Sequence, residues 1–310
     1  MIRVSLIVPI YGVEPYIGKC ADSVLSQTYP YIQFIFVNDG TRDRSMDILR
    51  ELVDRKYAAL KERIIFVDKE NEGLPYARAT GLAYADGDYV MHVDSDDWLE
   101  PDAVASLAAE AERTGADIVF HDFWKEYATR SKLDREKDYM ASTKMQYIKG
   151  LYTYAAYGYL WNKFARRSLY DGVFVPKYNM HEDIVTASQL IFKASSLVHL
   201  AKPLYHYRRD NPSATTRTGL RTRRGKSARN FLDYYEHFRP HLSGSPVEGF
   251  TDEILLRAAW IGFTLDRSLF AERPYLREEA RALRIRRGCF VSVPQQLILK
   301  LFLSADRHFK

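Results

Sequence analysis

The chain has 310 residues, 46% of them hydrophobic and 27% charged, with a formal net charge of +5. This length and apolar content can bury one large α/β core with a helical appendage, which argues against a disordered or fibrous chain. Cys20 and Cys289 have no metal-binding or disulfide spacing, and no apolar stretch approaches the roughly 20 residues of a spanning helix, so the composition favours a cytoplasmic protein.

Apolar segments early in the chain predict four strands, each followed by a polar loop. They are residues 3–11, 32–37, 64–67 and 89–93. Apolar residues at helical spacing follow the first three, and another helix is expected near Pro101. Strands that alternate with helices favour an α/β fold with a mostly parallel sheet and helices on both faces. The loops of such a sheet meet at its carboxyl edge, where ligands bind.

The fourth strand ends in an acidic cluster formed by Asp94, Ser95, Asp96 and Asp97. Carboxylates this close together repel one another unless a cation or hydrogen-bond donors compensate. Their hard oxygens suit Mg²⁺ or Mn²⁺ carried with a diphosphate. The alternative is an acidic turn that caps the next helix through Asp97 or Asp102. The cluster alone leaves both interpretations open.

Four ordered motifs resemble the inverting family 2 nucleotide-sugar glycosyltransferases with the GT-A fold, of the type that makes capsules and surface polysaccharides. The motifs lie at Val4 to Tyr11, Asn38 to Asp43, Asn71 to Arg78 and Asp94 to Asp97. The resemblance covers residues 1–210 and implies that they form the nucleotide-sugar-binding and catalytic domain. Residues 211–310 would then be a basic helical region.

The resemblance implies that the loop after the first strand and Asp39 hold the uracil and ribose of a UDP-sugar donor. Arg78 would contact the nucleotide or its phosphates, Asp94 the ribose or the phosphates, and Asp96 would bind Mn²⁺ or Mg²⁺. A turn residue is the alternative for Asp39, and a surface helix arginine for Arg78. The implied donor-binding residues are Pro9, Ile10, Tyr11, Asp39, Arg78, Asp94 and Ser95, with Asp96 as the metal ligand.

An inverting transfer needs a base for the acceptor hydroxyl, and the resemblance implies that Asp183 supplies it. The pair Glu182 and Asp183 also has a structural explanation, because carboxylates at a helix start stabilise the exposed N–H groups and the dipole. Like-charged Glu182 and Asp97 would help to keep the pKa of Asp183 high enough for a base. His181 is the rival base, and an exposed loop histidine is its alternative.

Further residues are expected to contact the acceptor or the phosphates. Trp161 suits stacking on a sugar and Lys163 suits phosphate or hydroxyl oxygens, although core packing explains Trp161 equally well. His206 and Arg208 lie in a segment that resembles the one closing over the pyrophosphate, with an edge strand as the alternative. The residues assigned to these contacts are Asp97, Trp98, Trp161, Lys163, Glu182, His206 and Arg208.

Charge is uneven along the chain. Residues 201–310 contain 21 Lys and Arg against 11 Asp and Glu, while residues 1–200 carry a net charge of −5. The basic segment 217–229 and an apolar segment 297–303, followed by Arg307 and Lys310, predict adsorption to the cytoplasmic face of an anionic membrane, where a polyprenyl-diphosphate-linked acceptor would lie. Packing of this last helix on the catalytic domain is the alternative. No nucleic-acid-binding module is recognisable, so no nucleic-acid partner is expected.

The sequence thus predicts a metal-dependent inverting glycosyltransferase that moves a sugar from a UDP-sugar to a saccharide or lipid-linked saccharide in surface polysaccharide synthesis. The transfer would be a direct displacement without a covalent intermediate. One alternative is a sugar-nucleotide nucleotidyltransferase, which usually has a Gly-rich, Lys-bearing loop that segment 11–15 lacks. The other is a non-catalytic carbohydrate- or membrane-binding scaffold.

Overall fold

The computed structural model describes residues 1–135, 143–212, 219–285 and 291–305. The chain divides into two units. The first contains Met1–Ser142, Tyr159–Val175 and Lys193–Pro212, and the second contains Thr143–Gly158, Pro176–Phe192 and Ser213–Lys310. The units interleave along the chain, in contrast to the sequential boundary after residue 210 expected from the sequence. Cys289, Arg217, Arg307 and Lys310 lie outside the described residues.

The first unit is built on a nine-stranded sheet. Its strands are β1 (Val4–Ile10), β2 (Ile32–Asn38), β3 (Ile64–Asp68), β4 (Tyr89–His92), β5 (Trp98–Leu99), β6 (Ile118–Tyr127), β7 (Arg130–Asp134), β8 (Lys163–Arg166) and β9 (Leu197–Arg208). They are ordered β3-β2-β1-β4-β8-β6-β9-β5, and β7 pairs with β6.

Strands β3, β2, β1 and β4 are parallel, and Ile7 of β1 lies opposite Ile35 and His92. All seven residues of β1 are buried, as expected for a strand covered on both faces. The remaining pairings are antiparallel except for β6 with β9. The α/β prediction is confirmed, with a parallel half and a mixed half.

Four helices of the first unit follow the strands: α1 (Ile17–Leu25), α2 (Ser45–Lys56), α3 (Leu74–Tyr84) and α4 (Ala103–Thr114). Helices α1, α2 and α4 bury the apolar residues that recur at helical spacing, such as Ile17, Cys20 and Val24 in α1. Helix α4 ends at Gly115, whose φ of 68° lies in the left-handed region that glycine tolerates. These short β-α connections bring the strand ends to one edge of the sheet.

The second unit is helical. Its helices are α5 (Lys144–Tyr152), α6 (Glu182–Lys193), α7 (Leu220–Phe238), α8 (Thr251–Thr264), α9 (Ser268–Glu272), α10 (Tyr275–Ala282) and α11 (Val293–Ala305). Helix α5 joins this unit because the ring of Tyr152 stacks on Phe250 with centroids 4.3 Å apart and contacts Phe231 at 5.0 Å. In the described ranges, no helix is long and apolar enough to cross a membrane.

Candidate functional site

The acidic cluster forms a tight turn between β4 and β5. The backbone N–H of Asp97 donates to the carbonyl of Asp94 at 3.0 Å. Side chains then alternate, because Asp94, Asp96 and Trp98 are half-buried while Ser95 and Asp97 are buried. The turn therefore directs two of its three carboxylates and the indole toward the partly open side of the sheet edge.

Asp97 is 1% exposed and connects the turn to β9. Its carboxylate accepts a hydrogen bond from the Tyr205 hydroxyl at 2.8 Å and one from the backbone N–H of Arg208 at 2.7 Å. Burial, reinforced by Asp96 and Asp94, raises the pKa of this carboxyl well above its usual range. A side chain so enclosed cannot contact an acceptor, so the structure corrects that expectation. Asp97 holds the turn in place.

Asp96 has a different environment. Its Oδ2 accepts a hydrogen bond of 2.7 Å from the side-chain amide of Asn211, and its backbone carbonyl accepts one of 2.9 Å from Nε of Arg208. Burial raises the pKa of the Asp96 carboxyl, and neighbouring Asp94 adds to that effect, while Asn211 opposes it. No pattern in the sequence singles out Asn211. It lies 115 residues from its partner and is revealed only by the fold.

Asp94 forms an ion pair with Arg78, whose guanidinium is 2.7 Å from Oδ1 of the carboxylate. The Arg78 side chain is buried on α3, which excludes the surface-arginine alternative. In the structure Arg78 orients Asp94. The predicted contact of Arg78 with a nucleotide stays a prediction.

The loop after β1 lies beside the end of β2. Pro9 and Ile10 belong to β1, and the carbonyl of Ile10 accepts a hydrogen bond from the Asp39 N–H at 3.0 Å. Tyr11 follows with 56% of its side chain exposed. Gly12 then donates its N–H to Thr41 Oγ1 at 2.8 Å, which fastens the two loops together. An exposed aromatic ring at this edge is suited to stacking on a base.

Asp39 is buried and its carboxylate is enclosed by donors. It accepts hydrogen bonds from Lys69 Nζ at 2.9 Å, from the N–H of Glu72 at 3.1 Å and from the N–H of Gly73 at 2.9 Å. The adjacent Gly40 has a φ of 69°, and a Cβ there would lie 2.9 Å from the backbone nitrogen of Asn71. The contacts join the loops after β2 and β3, which an Asx turn within one loop would not do. Lys69 was missed at the sequence level.

Trp98 is the centre of a column of aromatic and cationic groups. His206 stacks on the indole with centroids 4.8 Å apart, and Lys19 Nζ lies 3.0 Å from the ring centroid. The guanidinium of Arg208 is 5.1 Å from the same ring and 4.8 Å from that of Tyr16. Two cations near the acidic turn can balance phosphate charge. Lys19 is a second residue that sequence reasoning missed.

His206 is also held by carboxylates. Its Nε2 lies 2.9 Å from Glu100 and its Nδ1 lies 2.7 Å from Glu126. Because both ring nitrogens of His206 contact these carboxylates, the ring is fixed in place, and its stacking orients Trp98. His206 and Arg208 both lie in β9, which pairs with β6 on one side and with β5 on the other, so the edge-strand alternative does not describe this strand.

Trp161 and Lys163 are core residues. Trp161 is 1% exposed and stacks on Tyr205 at 4.2 Å and on Tyr159 at 4.7 Å. Lys163 is fully buried, with its ammonium donating to the Tyr159 carbonyl and to Asn162 Oδ1, each at 2.8 Å. The structure therefore corrects the acceptor contacts expected of both side chains. Core packing, the alternative for Trp161, is what the fold shows.

Glu182 and Asp183 belong to the second unit, in the first turn of α6. Glu182 is buried and Asp183 is half-buried. His181 precedes them with a φ of 57°, and burial, with the charges of Arg257 and Arg223, lowers the pKa of its imidazole to about 3. An imidazole this weakly basic is a poor proton acceptor near neutral pH, so its environment disfavours His181 as the base. Asp183 as the base stays a prediction.

A family of known proteins matches the larger part of this chain. The glycosyl transferase family 2 model matches residues 5–174. The chain belongs to glycosyl transferase family 2. Membership in this family argues against the nucleotidyltransferase alternative.

Three known proteins match different shares of this chain. EpsH of Bacillus subtilis is 34% identical over 66% of this chain, EpsJ of the same organism is 34% identical over 69%, and glycosyltransferase GlyA of Streptococcus pneumoniae is 28% identical over 88%. The matched regions span 60% of EpsH, 62% of EpsJ and 37% of GlyA. The chain thus corresponds to part of each relative.

Solved structures share the fold at low identity. S. aureus TarS 1-349 in complex with UDP-GlcNAc superposes with a TM-score of 0.65 at 17% identity, covering 99% of this chain and 92% of that one. The mannosyltransferase PcManGT from Pyrobaculum calidifontis, in complex with GDP-Man and Mn²⁺, gives a TM-score of 0.54 at 16% identity, covering 99% and 87%. These likenesses concern the GT-A fold alone.

Proposed function

We propose that this family 2 protein is a glycosyltransferase that transfers a sugar from a UDP-sugar to a saccharide acceptor with inversion at the anomeric carbon. The observation that carries the proposal is the clustering, at one sheet edge, of Tyr11, Asp39 and the Asp94 to Asp97 turn. These groups follow β1, β2 and β4, which are adjacent and parallel. TarS, which shares the fold, was solved in complex with UDP-GlcNAc, and this supports a nucleotide-sugar donor of the UDP class.

In this proposal the exposed ring of Tyr11 stacks on the uracil. Asp39 has about one acceptor position left for the base or ribose, because a carboxylate has about four and three are used by the protein. Arg208 and Lys19, both close to the Trp98 ring, would take up phosphate oxygens.

Asp94 and Asp96 fit a divalent cation. Both are half-buried carboxylates, and burial has raised the pKa of Asp96, which a nearby cation would reverse. Within the described residues no group of three His, Cys, Asp or Glu side chains could hold a metal alone. The pair therefore fits Mn²⁺ or Mg²⁺ that takes further oxygens from a diphosphate and water. When bound, the cation would neutralise charge on the departing UDP.

Acceptor activation is the second half of the proposed chemistry. Asp183 would accept the proton of the acceptor hydroxyl as that oxygen attacks the anomeric carbon and the bond to UDP breaks. The proton ends on the carboxylate and the electron pair on UDP, so the displacement needs no covalent intermediate.

The acceptor is proposed to be a saccharide or a polyprenyl-diphosphate-linked saccharide at an anionic membrane surface. Helix α11 supports the membrane part of this proposal. It buries Leu299 and Leu303, but it leaves Leu297, Ile298 and Leu301 exposed, the last at 73%. An apolar face of this kind, on the basic carboxyl-terminal part of the chain, suits adsorption to anionic lipid.

A donor screen tests the proposed function. Thermal unfolding would be followed with UDP-, GDP- and dTDP-sugars, each with Mn²⁺ or with a chelator. A ligand present at 100 times its Kd stabilises the folded state by about 2.7 kcal/mol, which is easily detected. We expect one or more UDP-sugars to raise the Tm in the presence of Mn²⁺, and proton NMR of the product to show an inverted anomeric centre. Stabilisation by GDP-sugars alone, or retention of configuration, would overturn the proposal.

A further inference from the structure

Two residues other than glycine in the described part of the chain have a left-handed backbone conformation. They are Tyr154, with a φ of 60°, and His181, with a φ of 57°. This region is unfavourable for bulky side chains, and such residues persist only where surrounding contacts enforce them. Both belong to the second unit, and they contact each other. Their ring centroids lie 5.3 Å apart, and the Tyr154 hydroxyl oxygen is 3.3 Å from His181 Nε2.

Helix α7 holds the histidine. Nδ1 of His181 lies 2.7 Å from Ser227 Oγ, and the imidazole is parallel to the ring of Phe231, with centroids 5.9 Å apart and an interplanar angle of 7°. A hydrogen bond and a stacked ring together fix both the position and the orientation of the imidazole. The surroundings of His181 therefore enforce its unfavourable φ.

Helix α8 holds the tyrosine. The guanidinium of Arg257 donates to the Tyr154 hydroxyl and, at 2.9 Å, to the backbone carbonyl of Tyr152. The guanidinium carbon Cζ of Arg257 also lies 4.8 Å from the centroid of the Tyr154 ring. Through these contacts the pair is attached to two helices of the second unit at once.

The backbone of His181 begins α6. Its carbonyl accepts the helical hydrogen bond from the N–H of Val185 at 3.3 Å, so the left-handed turn at His181 sets the direction in which the first turn of the helix leaves. Asp183 lies in that first turn, two residues further along. A change of backbone angle at His181 would move the Asp183 carboxylate, and errors near 1 Å in such a group can cost about a hundredfold in rate.

We propose that the His181–Tyr154 pair is a positioning device for Asp183. Enforced left-handed geometry at His181, held by Ser227, Phe231 and Tyr154, fixes the first turn of α6 and thereby the carboxylate that accepts the acceptor proton. The inference rests on the proposed function of Asp183. His181 and Tyr154 are positioning residues and do not themselves exchange protons with substrate.

The test uses a double-mutant cycle on the full chain. His181→Gly removes the ring and lets the backbone relax, because glycine adopts both signs of φ. We expect it to lower kcat for transfer by about tenfold or more while the Kd for the UDP-sugar stays within about twofold. In an Asp183→Asn background the same substitution should have no further effect on the residual rate. A merely structural role would lower the rate in both backgrounds.

Two milder variants keep the proposal testable if His181→Gly does not fold. Ser227→Ala removes the Nδ1 partner, and Tyr154→Phe removes the hydroxyl that joins His181 to Arg257. Each should lower kcat by at least about threefold without a change in donor Kd. Tyr235→Phe is the matched control, because that hydroxyl donates to Glu279 at 2.7 Å elsewhere in the same unit, and it should leave kcat unchanged.

The outcomes separate two failures. If Asp183→Asn keeps wild-type transfer, the proposed base is wrong, and the positioning role is wrong with it. If Asp183→Asn abolishes transfer but His181→Gly, Ser227→Ala and Tyr154→Phe all transfer at the wild-type rate, only the positioning role is overturned. Equal loss from His181→Gly in both backgrounds also overturns it.

Discussion

The hydroxyl of Tyr205 donates a hydrogen bond of 2.8 Å to the buried carboxylate of Asp97. The same oxygen accepts the backbone N–H of Asp94 at 3.0 Å, so one side chain of β9 holds both ends of the acidic turn. Removal of the hydroxyl would leave Asp97 with one protein donor fewer and the N–H of Asp94 without this acceptor. The turn should then lose its fixed geometry.

Tyr205→Phe tests that relationship. We expect a loss of about 1–3 kcal/mol in the free energy of unfolding, because a buried carboxylate loses a partner, together with weaker UDP binding by calorimetry. Tyr57→Phe is the control, since its hydroxyl donates to Asp22 at 2.7 Å away from the turn. That variant should bind UDP normally. Equal UDP affinity in Tyr205→Phe would show that donor binding does not depend on the Tyr205 hydroxyl.

Asp96→Asn should weaken the metal-dependent part of donor binding. The amide keeps the shape of the side chain but removes the charge that suits Mn²⁺. We expect UDP affinity with Mn²⁺ to fall by about tenfold or more, which is ~1.4 kcal/mol, with little change in the presence of a chelator. The exposed Asp54, which pairs with Lys61, provides the control Asp54→Asn. Wild-type protein that binds UDP equally well with chelator would contradict the metal assignment.

Asp183→Asn should separate chemistry from binding. The amide cannot accept the acceptor proton, so we expect kcat for transfer to fall by about a hundredfold or more while the donor Kd is kept. Asp252→Asn is a matched control, because Asp252 lies in the first turn of α8 and its change removes the same helix-dipole interaction. Transfer by Asp183→Asn within about tenfold of wild type would place the base elsewhere.

The strand ends could be predicted from the sequence because their evidence is local. The prediction of buried strands followed by polar loops, with acidic residues at Asp39 and Asp94, uses only residues that are neighbours in the chain. The partners of those acids could not be predicted in this way. Tyr205 lies 108 residues from Asp97, and the aromatic content of β9 does not indicate which carboxylate it meets. Lys69 and Asn211 were missed for the same reason.

Burial was the other source of error. Trp161 and Lys163 carry chemistry suited to a sugar or phosphate, and nothing in the sequence distinguishes an exposed indole from one stacked on Tyr205. The interleaved units are similarly non-local, because the contact of Tyr152 with Phe250 joins segments that a sequential boundary separates. Residue type indicated possible chemistry, and three-dimensional contacts decided which side chains can perform it.

The buried His121 and the half-buried His181 predict a loss of stability in acid. Burial lowers the pKa of His181 to about 3 and that of His121 to about 4, against a usual value of 6.5. Both rings are therefore neutral in the folded protein at a pH where the unfolded chain takes up protons. As the pH falls from 6.5 toward 4, the unfolded state binds more protons, and the free energy of unfolding decreases by up to about 1.4 kcal/mol per pH unit for each histidine.

Urea denaturation between pH 7.5 and pH 5 measures this effect. His121→Gln and His181→Asn keep hydrogen-bonding groups but do not titrate, so each should show a shallower fall in unfolding free energy than wild type as the solution is acidified. At pH 7.5 both imidazoles are neutral in the folded and the unfolded state, so proton uptake no longer lowers the stability and only the cost of the altered contacts should remain. Curves that fall in parallel for wild type and both variants would exclude these histidines as the cause.

The exposed face of α11 predicts reversible membrane binding. Leu297, Ile298 and Leu301 are exposed, whereas Phe302 contacts Phe263 with centroids 4.4 Å apart. Helix α11 thus contributes to the core and also exposes an apolar face. Deletion of the whole helix would remove the core contact together with the exposed face, so its effect could not be assigned to either one. Substitutions on the exposed face alone avoid that problem.

A triple variant, Leu297→Gln with Ile298→Gln and Leu301→Gln, should change the Tm only slightly, because Leu301 is 73% exposed and Leu297 and Ile298 are 48% and 49% exposed. Each apolar side chain that enters the lipid interface contributes roughly 0.8 kcal/mol of binding free energy per buried CH₂, and each nearby basic residue contributes about 1 kcal/mol. Loss of these three apolar side chains should therefore weaken binding to anionic vesicles by about tenfold or more. A control with Tyr31→Gln and Tyr84→Gln removes exposed aromatic groups from the first unit and should bind as wild type does. Binding of the triple variant at wild-type strength, or indifference of the wild type to anionic vesicles at low salt, would show that α11 does not contact the membrane.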